Sequence, residues 1–430
     1  MKTASILYGL ALLTLPAGPG VKLMVGREEM LWMDPTLVFA TLAFIALIPI
    51  WNSSDSREMA GPTLSTVVLT LLCMICAVSG FLIRPSTKPY DALREPIRLF
   101  LTMIWLLTSY WFLRFRRRFV FRCAAAAAVL ALLSGIYIDL VAAWIVPAPA
   151  QVVKYAQEYI LRQVTFVGGH WIPRMGGLFV EAPPFGLFML AMAVFFYLGR
   201  RSGIRGPATL SGLIASMLGL IASLADQAFL GMAICVSAII LSTKSRRTWL
   251  KPALVTVFGA IMVVLSWGSL EGKLEGASSN SARHIYQDSV GERAYHVEYG
   301  LSLFVREPVA TVFGVGPGRY GEYVAETGLF PDTASMQTTE PEILVEWGVL
   351  GLGVWIVVMA LVARRAWKLH GLLGVGLLLG VCVADSFQSN WKSEAVFLAV
   401  AAICCPALTA ENGETDQGSA LYDSVEAPAG

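Results

Sequence analysis

The stretch PPFGLFMLAMAVFFYLGRR, residues 183–201, decides the fold class of this chain. It runs from Pro183 to Gly199 without a charged side chain and then ends in Arg200 and Arg201. The apolar core of a bilayer is about 30 Å thick and requires about 20 helical residues, so this run predicts a membrane-spanning helix. Helix is expected because every backbone polar group inside a bilayer must be hydrogen-bonded within the chain.

Similar runs recur along the chain and predict one membrane domain over residues 1–410. Hydrophobic residues make up 56% of the 430 residues and charged residues only 14%, which leaves too little polar surface for a water-soluble globule. The predicted fold class is an all-α polytopic membrane protein with about twelve transmembrane helices. We expect the spans near residues 4–24, 36–51, 63–83, 97–113, 119–146, 183–199, 207–224, 227–243, 252–268, 343–363, 369–384 and 394–410.

The start of the chain resembles a secretory signal, since Lys2 precedes the apolar run from Ile6 to Leu15. In a polytopic chain, a retained first span is the preferred interpretation. At the other end, residues 411–430 carry five acidic residues and no basic one, which predicts a disordered acidic cytoplasmic tail.

Basic residues near the span ends predict the orientation, because Lys and Arg are retained on the cytoplasmic side. The rule places both termini in the cytoplasm and residues 147–182 and 268–342 outside. The segment from Arg84 to Arg98 is an exception, since its basic residues fall outside. The clusters that set the orientation are Arg114, Arg116, Arg117 and Arg118; Arg200, Arg201 and Arg205; Lys244, Arg246, Arg247 and Lys251; and Arg364, Arg365 and Lys368.

Composition also excludes several classes of function. All seven cysteines lie in predicted spans, which is typical neither of a disulfide framework nor of a metal array. The net charge of +2 gives no indication of a nucleic-acid partner. We therefore expect no nucleic acid, no metal and no cofactor.

The long outer loop, residues 268–342, precedes the tenth span and carries most of the functional signal. Ser289-Val-Gly-Glu292 has the form of a capping box and predicts a helix that Pro308 ends. Arg293 and His296 lie at the border of its apolar face, where an arginine suits a phosphate group. The alternatives are a surface arginine paired with a neighbouring glutamate and a structural histidine.

A glycine-rich segment follows as Gly314-Val-Gly316-Pro-Gly318-Arg-Tyr320. Residues 316–321 formally satisfy the dinucleotide pattern G-x-G-x-x-G, but no strand of a βαβ unit precedes them and a proline lies inside the turn. A tight turn that brings Arg319 and its backbone close to other groups is the preferred interpretation. Asp226-Gln227 forms a short hairpin between two spans, and a position within the membrane would make Asp226 functional.

Taken in order, these pieces resemble the O-antigen ligase and O-antigen polymerase family of bacterial envelope glycan assembly. The resemblance covers roughly the C-terminal 260 residues. The chain departs from the family at Asp226-Gln227, where members have serine-arginine, and at Gln337, where ligases have a histidine. The matching segments are Arg174 to Pro184, Arg293 to Pro308, Gly314 to Tyr320, and Glu346-Trp-Gly348-Val-Leu-Gly351.

The resemblance implies a metal-independent membrane glycosyltransferase in the bacterial cytoplasmic (inner) membrane. It would move a glycan from a polyprenyl-pyrophosphate carrier to a glycan or glycolipid acceptor at the outer face, as a polymerase or as a ligase. Its other partners would be membrane lipids and further envelope polysaccharide assembly proteins. The competing class is a multi-spanning transporter or flippase, although the chain shows no internal repeat of the kind common in carriers.

The same resemblance implies roles for individual residues. Arginine binds phosphate oxygens bidentately and stays charged, and a carboxylate or histidine can accept the proton of the acceptor hydroxyl. The expected pyrophosphate ligands are Arg293, Arg319 and Arg174. The expected base is Glu342 or Glu340, with His296 in reserve. The loop-forming residues are Gly314, Gly316, Gly318, Glu346 and Gly348.

Overall fold

The computed structural model describes residues 1–17, 34–51, 89–160, 164–167, 170–179, 181–243, 255–256, 297–302, 308–325, 339–386 and 393–409. Helices dominate these residues. In chain order they are α1 (Lys2–Thr14), α2 (Pro35–Trp51), α3 (Pro89–Phe115), α4 (Arg117–Ala142), α5 (Ala150–Tyr155), α6 (Ala182–Arg201), α7 (Pro207–Ser223), α8 (Asp226–Ser242), α9 (Pro308–Phe313), α10 (Tyr320–Ala325), α11 (Thr339–His370), α12 (Leu372–Ser386) and α13 (Glu394–Cys404).

Four of these helices, α3, α4, α6 and α11, are long and apolar enough to cross a membrane. Six shorter apolar helices, α1, α2, α7, α8, α12 and α13, accompany them. Together the ten helices coincide with ten of the predicted spans. The other two spans, 63–83 and 252–268, lie outside the described residues except for positions 255–256, so the count of about twelve stays a prediction.

The bundle packs around α6, and 83% of the most apolar stretch of this helix is buried. Large side chains of the core pack against glycines on neighbouring helices. Phe121 of α4 lies against Gly199 of α6, and Met189 of α6 lies against Gly219 of α7. Phe121 also stacks on Phe195 at 4.2 Å between ring centroids. Small residues that let helices approach closely are typical of helix packing in membranes, where hydrophobicity alone does not hold helices together.

The first helix is an integral part of this core. The fully buried Tyr8 of α1 donates a hydrogen bond to Ser109 Oγ of α3 (2.9 Å). Its ring stacks on Phe112 at 4.2 Å and on Trp105 at 5.5 Å. The retention of this helix as the first span stays a prediction.

The predicted outer segment 147–182 contains structure that the sequence analysis did not anticipate. Its strands β1 (Val164–Val167) and β2 (His170–Pro173) pair antiparallel, which adds a hairpin to the predicted all-α class. The segment then folds back on the bundle: Tyr155 Oη donates to the Gly177 carbonyl (2.7 Å), and Gly177 lies against Gly135 of α4.

Three of the four basic clusters that predicted the orientation meet at one end of the bundle. Arg365 donates to the Cys404 carbonyl (3.4 Å) and to Tyr110 Oη (3.5 Å), which joins the end of α11 to those of α13 and α3. Arg117, which begins α4, donates to the Ala407 carbonyl (2.9 Å). Arg201 lies close enough to His370 for their charges to interact. The fourth cluster, Lys244 to Lys251, and the tail 411–430 lie outside the described residues.

Candidate functional site at the end opposite the basic clusters

The glycine-rich segment lies against a break in α11. Gly348 has φ 70° and ψ −173° inside this helix, so the helical hydrogen bonds cannot continue through it. The preceding carbonyls instead accept bonds from the glycine segment: Val315 N–H donates to the Val345 carbonyl (3.0 Å) and Gly316 N–H to the Glu346 carbonyl (2.9 Å). The break thus supplies the backbone acceptors that hold the turn.

Two glycines make this backbone contact possible. A Cβ on Gly314 would collide with the Glu346 carbonyl and the Trp347 nitrogen, and a Cβ on Gly348 would collide with the Val312 carbonyl. Gly314 (φ +77°), Gly316 (φ +107°) and Gly318 (φ +72°) also adopt positive φ angles that favour glycine. The predicted tight turn is therefore present, and it packs backbone to backbone on α11.

The Glu346 side chain fixes the far side of the turn. Its carboxylate accepts hydrogen bonds from Gly318 N–H (2.8 Å) and from Tyr320 N–H (3.4 Å), which is the first N–H of α10. A carboxylate at a helix N-terminus satisfies a donor that has no partner within the helix. Glu346 is thus a structural residue of the turn, as its assignment among the loop-forming residues predicted.

Arg319 is turned into the protein at this point. It is 5% exposed, and its Nε pairs with Glu322 Oε2 (3.1 Å) while its Nη1 donates to the Val315 carbonyl (3.4 Å). These bonds join the turn to α10. Its role toward a pyrophosphate stays a prediction.

The first turn of α11 carries the two glutamates expected to act as base. This helix begins at Thr339, before the predicted position 343. Thr339 Oγ1 donates to the Asp385 carbonyl at the end of α12 (3.2 Å). Glu340 is exposed and accepts a hydrogen bond from Ser386 Oγ (2.6 Å). Glu342 is only 7% exposed, so the two candidates have different environments.

Glu342 influences two other polar groups. Its carboxylate is close enough to act electrostatically on Tyr320 of the glycine turn and on Asp385 of α12. Burial raises the pKa of the Tyr320 phenol, and Tyr299 and Glu342 raise the pKa further, so this hydroxyl stays protonated at neutral pH. Glu342 of α11 therefore interacts electrostatically with the protonated phenol of Tyr320 on α10 and with the carboxyl group of Asp385 on α12.

Arg174 lies beside the hairpin between α7 and α8. Its Nε donates to the Ser223 carbonyl (3.4 Å), and the next residue, Met175, donates its N–H to the Ala222 carbonyl (3.1 Å). Ser223 Oγ in turn accepts from Ala225 N–H (3.3 Å). Arg174 thus holds the turn that leads into Asp226 and Gln227, and its contact with a pyrophosphate stays a prediction.

The sequence matches no family model and no curated protein at a significant level. The structure places Glu340, Glu342, Arg319, Glu346 and the four loop-forming glycines around the start of α11, and Arg174 beside the hairpin between α7 and α8. Arg293 and His296 lie outside the described residues, so their assignments stay predictions. Within the described part of the chain, no group of three or more His, Cys, Asp and Glu side chains is arranged to hold a metal ion.

The predicted helix before Pro308 is present over residues 297–302. Val297 and Tyr299 pack against the small cluster formed by Ala310, Val315, Tyr320 and Val345. The described part of this helix therefore borders the glycine turn.

Sequence reasoning missed Asp385, which is 6% exposed and lies near the end of the apolar helix α12. The signal was available, because an ionisable residue in an apolar span is by default a functional candidate. Asp385 lies just beyond the predicted span 369–384 and is followed by the polar residues Ser386, Gln388 and Ser389, so the sequence also allows a loop position. Its neighbours Thr339 and Glu342 are brought close only by the fold.

Proposed function

We propose that this protein is a membrane glycosyltransferase that moves a glycan from a polyprenyl-pyrophosphate carrier to an acceptor hydroxyl, as a polymerase or a ligase of envelope glycans. The observation that carries the proposal is the buried Glu342, flanked by Tyr320 and Asp385 beside the glycine turn. Buried carboxyl groups that influence one another are typical of sites that manage protons.

The reaction needs one proton acceptor and one site for negative charge. In the proposed step, Glu342 takes the proton of the acceptor hydroxyl while the oxygen bonds to the anomeric carbon of the donor. The bond from that carbon to pyrophosphate breaks, and the pyrophosphate leaves with the electron pair. Arg293 and Arg174 are the proposed partners of this charge, because both belong to the arginine-led segments that carry the family resemblance.

Burial favours Glu342 over Glu340 as the base. Glu340 is exposed and its carboxylate is engaged by Ser386, so water and a hydroxyl group already solvate its charge. Glu342 is only 7% exposed and acts electrostatically on Asp385 and Tyr320, as a residue enclosed in a site does. The proposal therefore assigns the base to Glu342 and gives Glu340 a structural role.

The test compares Glu342→Gln with Glu340→Gln in cells whose only copy of the gene carries the change. General-base catalysis typically contributes about 10²–10⁴-fold, so we expect Glu342→Gln to lower the rate of glycan transfer by that factor. The measurement is the distribution of glycan on the lipid carrier and on the final acceptor. Glu340→Gln is the matched control and should retain most of the activity.

The glycan distribution also separates the two branches of the proposal. Single repeat units on the acceptor would identify a polymerase, whereas full-length chains stranded on the carrier at the outer face would identify a ligase. Unchanged transfer in Glu342→Gln, with the protein present in the membrane, would contradict the assignment of the base.

A transporter of a lipid-linked glycan is the second candidate, and the break in α11 at Gly348 favours it. Helices interrupted within the membrane are common around the binding sites of secondary transporters. In a transporter, loss of function strands the lipid-linked glycan at the inner face. In the proposed transferase, the Glu342→Gln variant strands it at the outer face, where an externally added glycosidase can reach it.

A further inference from the structure

Two buried polar atoms on neighbouring helices have no hydrogen-bond partner within the described part of the chain. They are Asp385 Oδ1 on α12 and Gln227 Nε2 on α8. Buried polar groups are nearly always hydrogen-bonded in folded proteins, because an unsatisfied group costs free energy. Each of the two atoms therefore needs an explanation.

The packing of α8 on α12 brings these two residues to the same level. The helices run antiparallel: Gly231 lies against the Gly380 carbonyl and Ala384, and Cys235 Sγ donates to the Leu377 carbonyl (3.8 Å). One helical turn before Gly231 is Gln227, and the facing position one turn along α12 falls at about residue 385. The two orphaned atoms thus belong to the same end of one helix pair.

Both residues are held in place by other elements. Leu224, just before α8, adopts the left-handed conformation (φ 45°, ψ 37°), which is strained for a residue with a side chain. Gly186 of α6 lies directly against Ser223 and Ala225 and confines this turn. On the other side, Thr339 holds the backbone carbonyl of Asp385 (3.2 Å). The pair is therefore positioned before any ligand arrives.

The two atoms are chemically complementary to a hydroxyl group. An amide N–H donates a hydrogen bond and a carboxyl C=O oxygen accepts one, whereas a hydroxyl group both accepts and donates. The neighbouring carboxyl groups of Glu340 and Glu342 act electrostatically on Asp385. Since this surrounding is acidic, it disfavours an anion such as pyrophosphate and suits an uncharged polyol.

We propose that Gln227 and Asp385 form a subsite that binds a hydroxyl group of the acceptor sugar. The ligand class rests on the proposed glycan transfer. Gln227 donates to the hydroxyl oxygen, and the hydroxyl hydrogen is directed to Asp385. An acceptor bound at this subsite lies near Glu342, and the donor pyrophosphate is left to Arg293 and Arg174.

The test uses Gln227→Leu, which removes the amide while keeping a side chain of similar length. We measure transfer by the purified full-length protein in vesicles, with a lipid-linked donor and a varied acceptor. Loss of one hydrogen bond to an uncharged group should raise the acceptor KM about 3- to 10-fold, with the donor KM unchanged. The matched control is Gln151→Leu at an exposed position of α5, which should leave both constants unchanged.

A binding measurement without donor separates this proposal from the proposed function. Methyl glycosides of glucose, galactose and N-acetylglucosamine should raise the thermal unfolding temperature of the wild type and of Gln151→Leu, but raise it less for Gln227→Leu. If the glycosides raise the unfolding temperature in this pattern but the wild type transfers no glycan, the subsite is supported and the transferase function is overturned. Transfer with an unchanged acceptor KM in Gln227→Leu overturns the subsite alone. Absence of both transfer and protection overturns both.

Discussion

Glu346 shows how a single carboxylate can determine the shape of a loop. Its side chain accepts from Gly318 N–H and Tyr320 N–H, and its own carbonyl accepts from Gly316 N–H. One residue of α11 therefore binds three backbone donors of the glycine turn. Backbone donors that lose their partner on folding are costly, so the side chain at this position has to accept from the two donors that the backbone carbonyl does not serve.

Replacement of Glu346 tests this role directly. In Glu346→Ala, the amides of Gly318 and Tyr320 lose their acceptor, which should cost about 1–3 kcal/mol of local stability. Hydrogen exchange of the peptide spanning Gly314 to Ala325 should then be about 5- to 150-fold faster. Glu346→Gln keeps one acceptor oxygen and should show a smaller change.

The matched control for this experiment is Glu298→Ala, since Glu298 is exposed on the helical residues 297–302. Its amide exchange should equal that of the wild type. Equal exchange in Glu346→Ala and the wild type would mean that the carboxylate does not hold the turn.

Among the elements, α11 is unusual because its break is specified by close backbone contact. Gly348 of α11 lies against the Val312 carbonyl, and Gly314 of the glycine turn lies against the Glu346 carbonyl. The backbone of α11 therefore contacts the backbone of residues 312–314 at these two glycines. The short piece before the break, from Thr339 to Trp347, carries Glu342 and Glu346 toward α12 and the glycine turn. The longer piece after it has the length and composition of a membrane span.

Gly348→Ala should disrupt this arrangement. The backbone at Gly348 is adopted essentially only by glycine, and forcing another residue into such a region costs about 1–3 kcal/mol, to which the collision with Val312 is added. We expect a lower thermal unfolding temperature of the detergent-solubilised protein together with loss of glycan transfer.

The control lies on the same helix. Gly353 has open space where a Cβ would be, so Gly353→Ala should be neutral or stabilise the helix by up to about 1 kcal/mol. An equal loss of stability in Gly348→Ala and Gly353→Ala would show that the backbone conformation at Gly348 does not require glycine.

Much of this element structure was predictable from the sequence. Apolar runs predicted the positions of the helices, because burial in a bilayer dictates both length and composition. The tight turn at Gly314 to Gly318 followed from the glycines. The electrostatic interaction of Glu342 with Tyr320 and Asp385 was not predictable, since it depends on how α10, α11 and α12 pack. The hairpin of β1 and β2 was missed, although Gly168-Gly169 between two runs rich in β-branched and aromatic residues is a two-residue hairpin signal.

At the scale of the whole molecule, the polar groups are divided between two ends of the bundle. Arg117, Arg201 and Arg365 lie at one end. Arg174, Glu342 and the glycine turn lie at the other end. Arg174 precedes α6 and Glu342 lies in the first turn of α11, whereas Arg201 ends α6 and Arg365 lies near the end of α11. This division is what the positive-inside rule requires of a chain with its candidate site outside the cell membrane.

Epitope tags inserted into the full-length chain test this orientation. A tag between Pro147 and Ala148 should be recognised by antibody on intact spheroplasts, because this segment follows α4 on the side away from the basic clusters. A tag between Arg205 and Gly206 should be recognised only after permeabilisation. The reverse pattern would place the candidate site in the cytoplasm and would exclude transfer from an outer-leaflet donor.

The hydrogen bond from Thr339 to Asp385 also has a consequence for the biogenesis of the protein. A nascent chain that has been inserted only as far as His370 already contains every arginine, glycine and glutamate of the candidate site. It still lacks the carboxyl group and the carbonyl that α12 supplies, and it lacks the partner on which α8 packs. Insertion of α12 is therefore the step of synthesis at which the site becomes complete, and chains that stall before it should be inserted in the membrane but inactive.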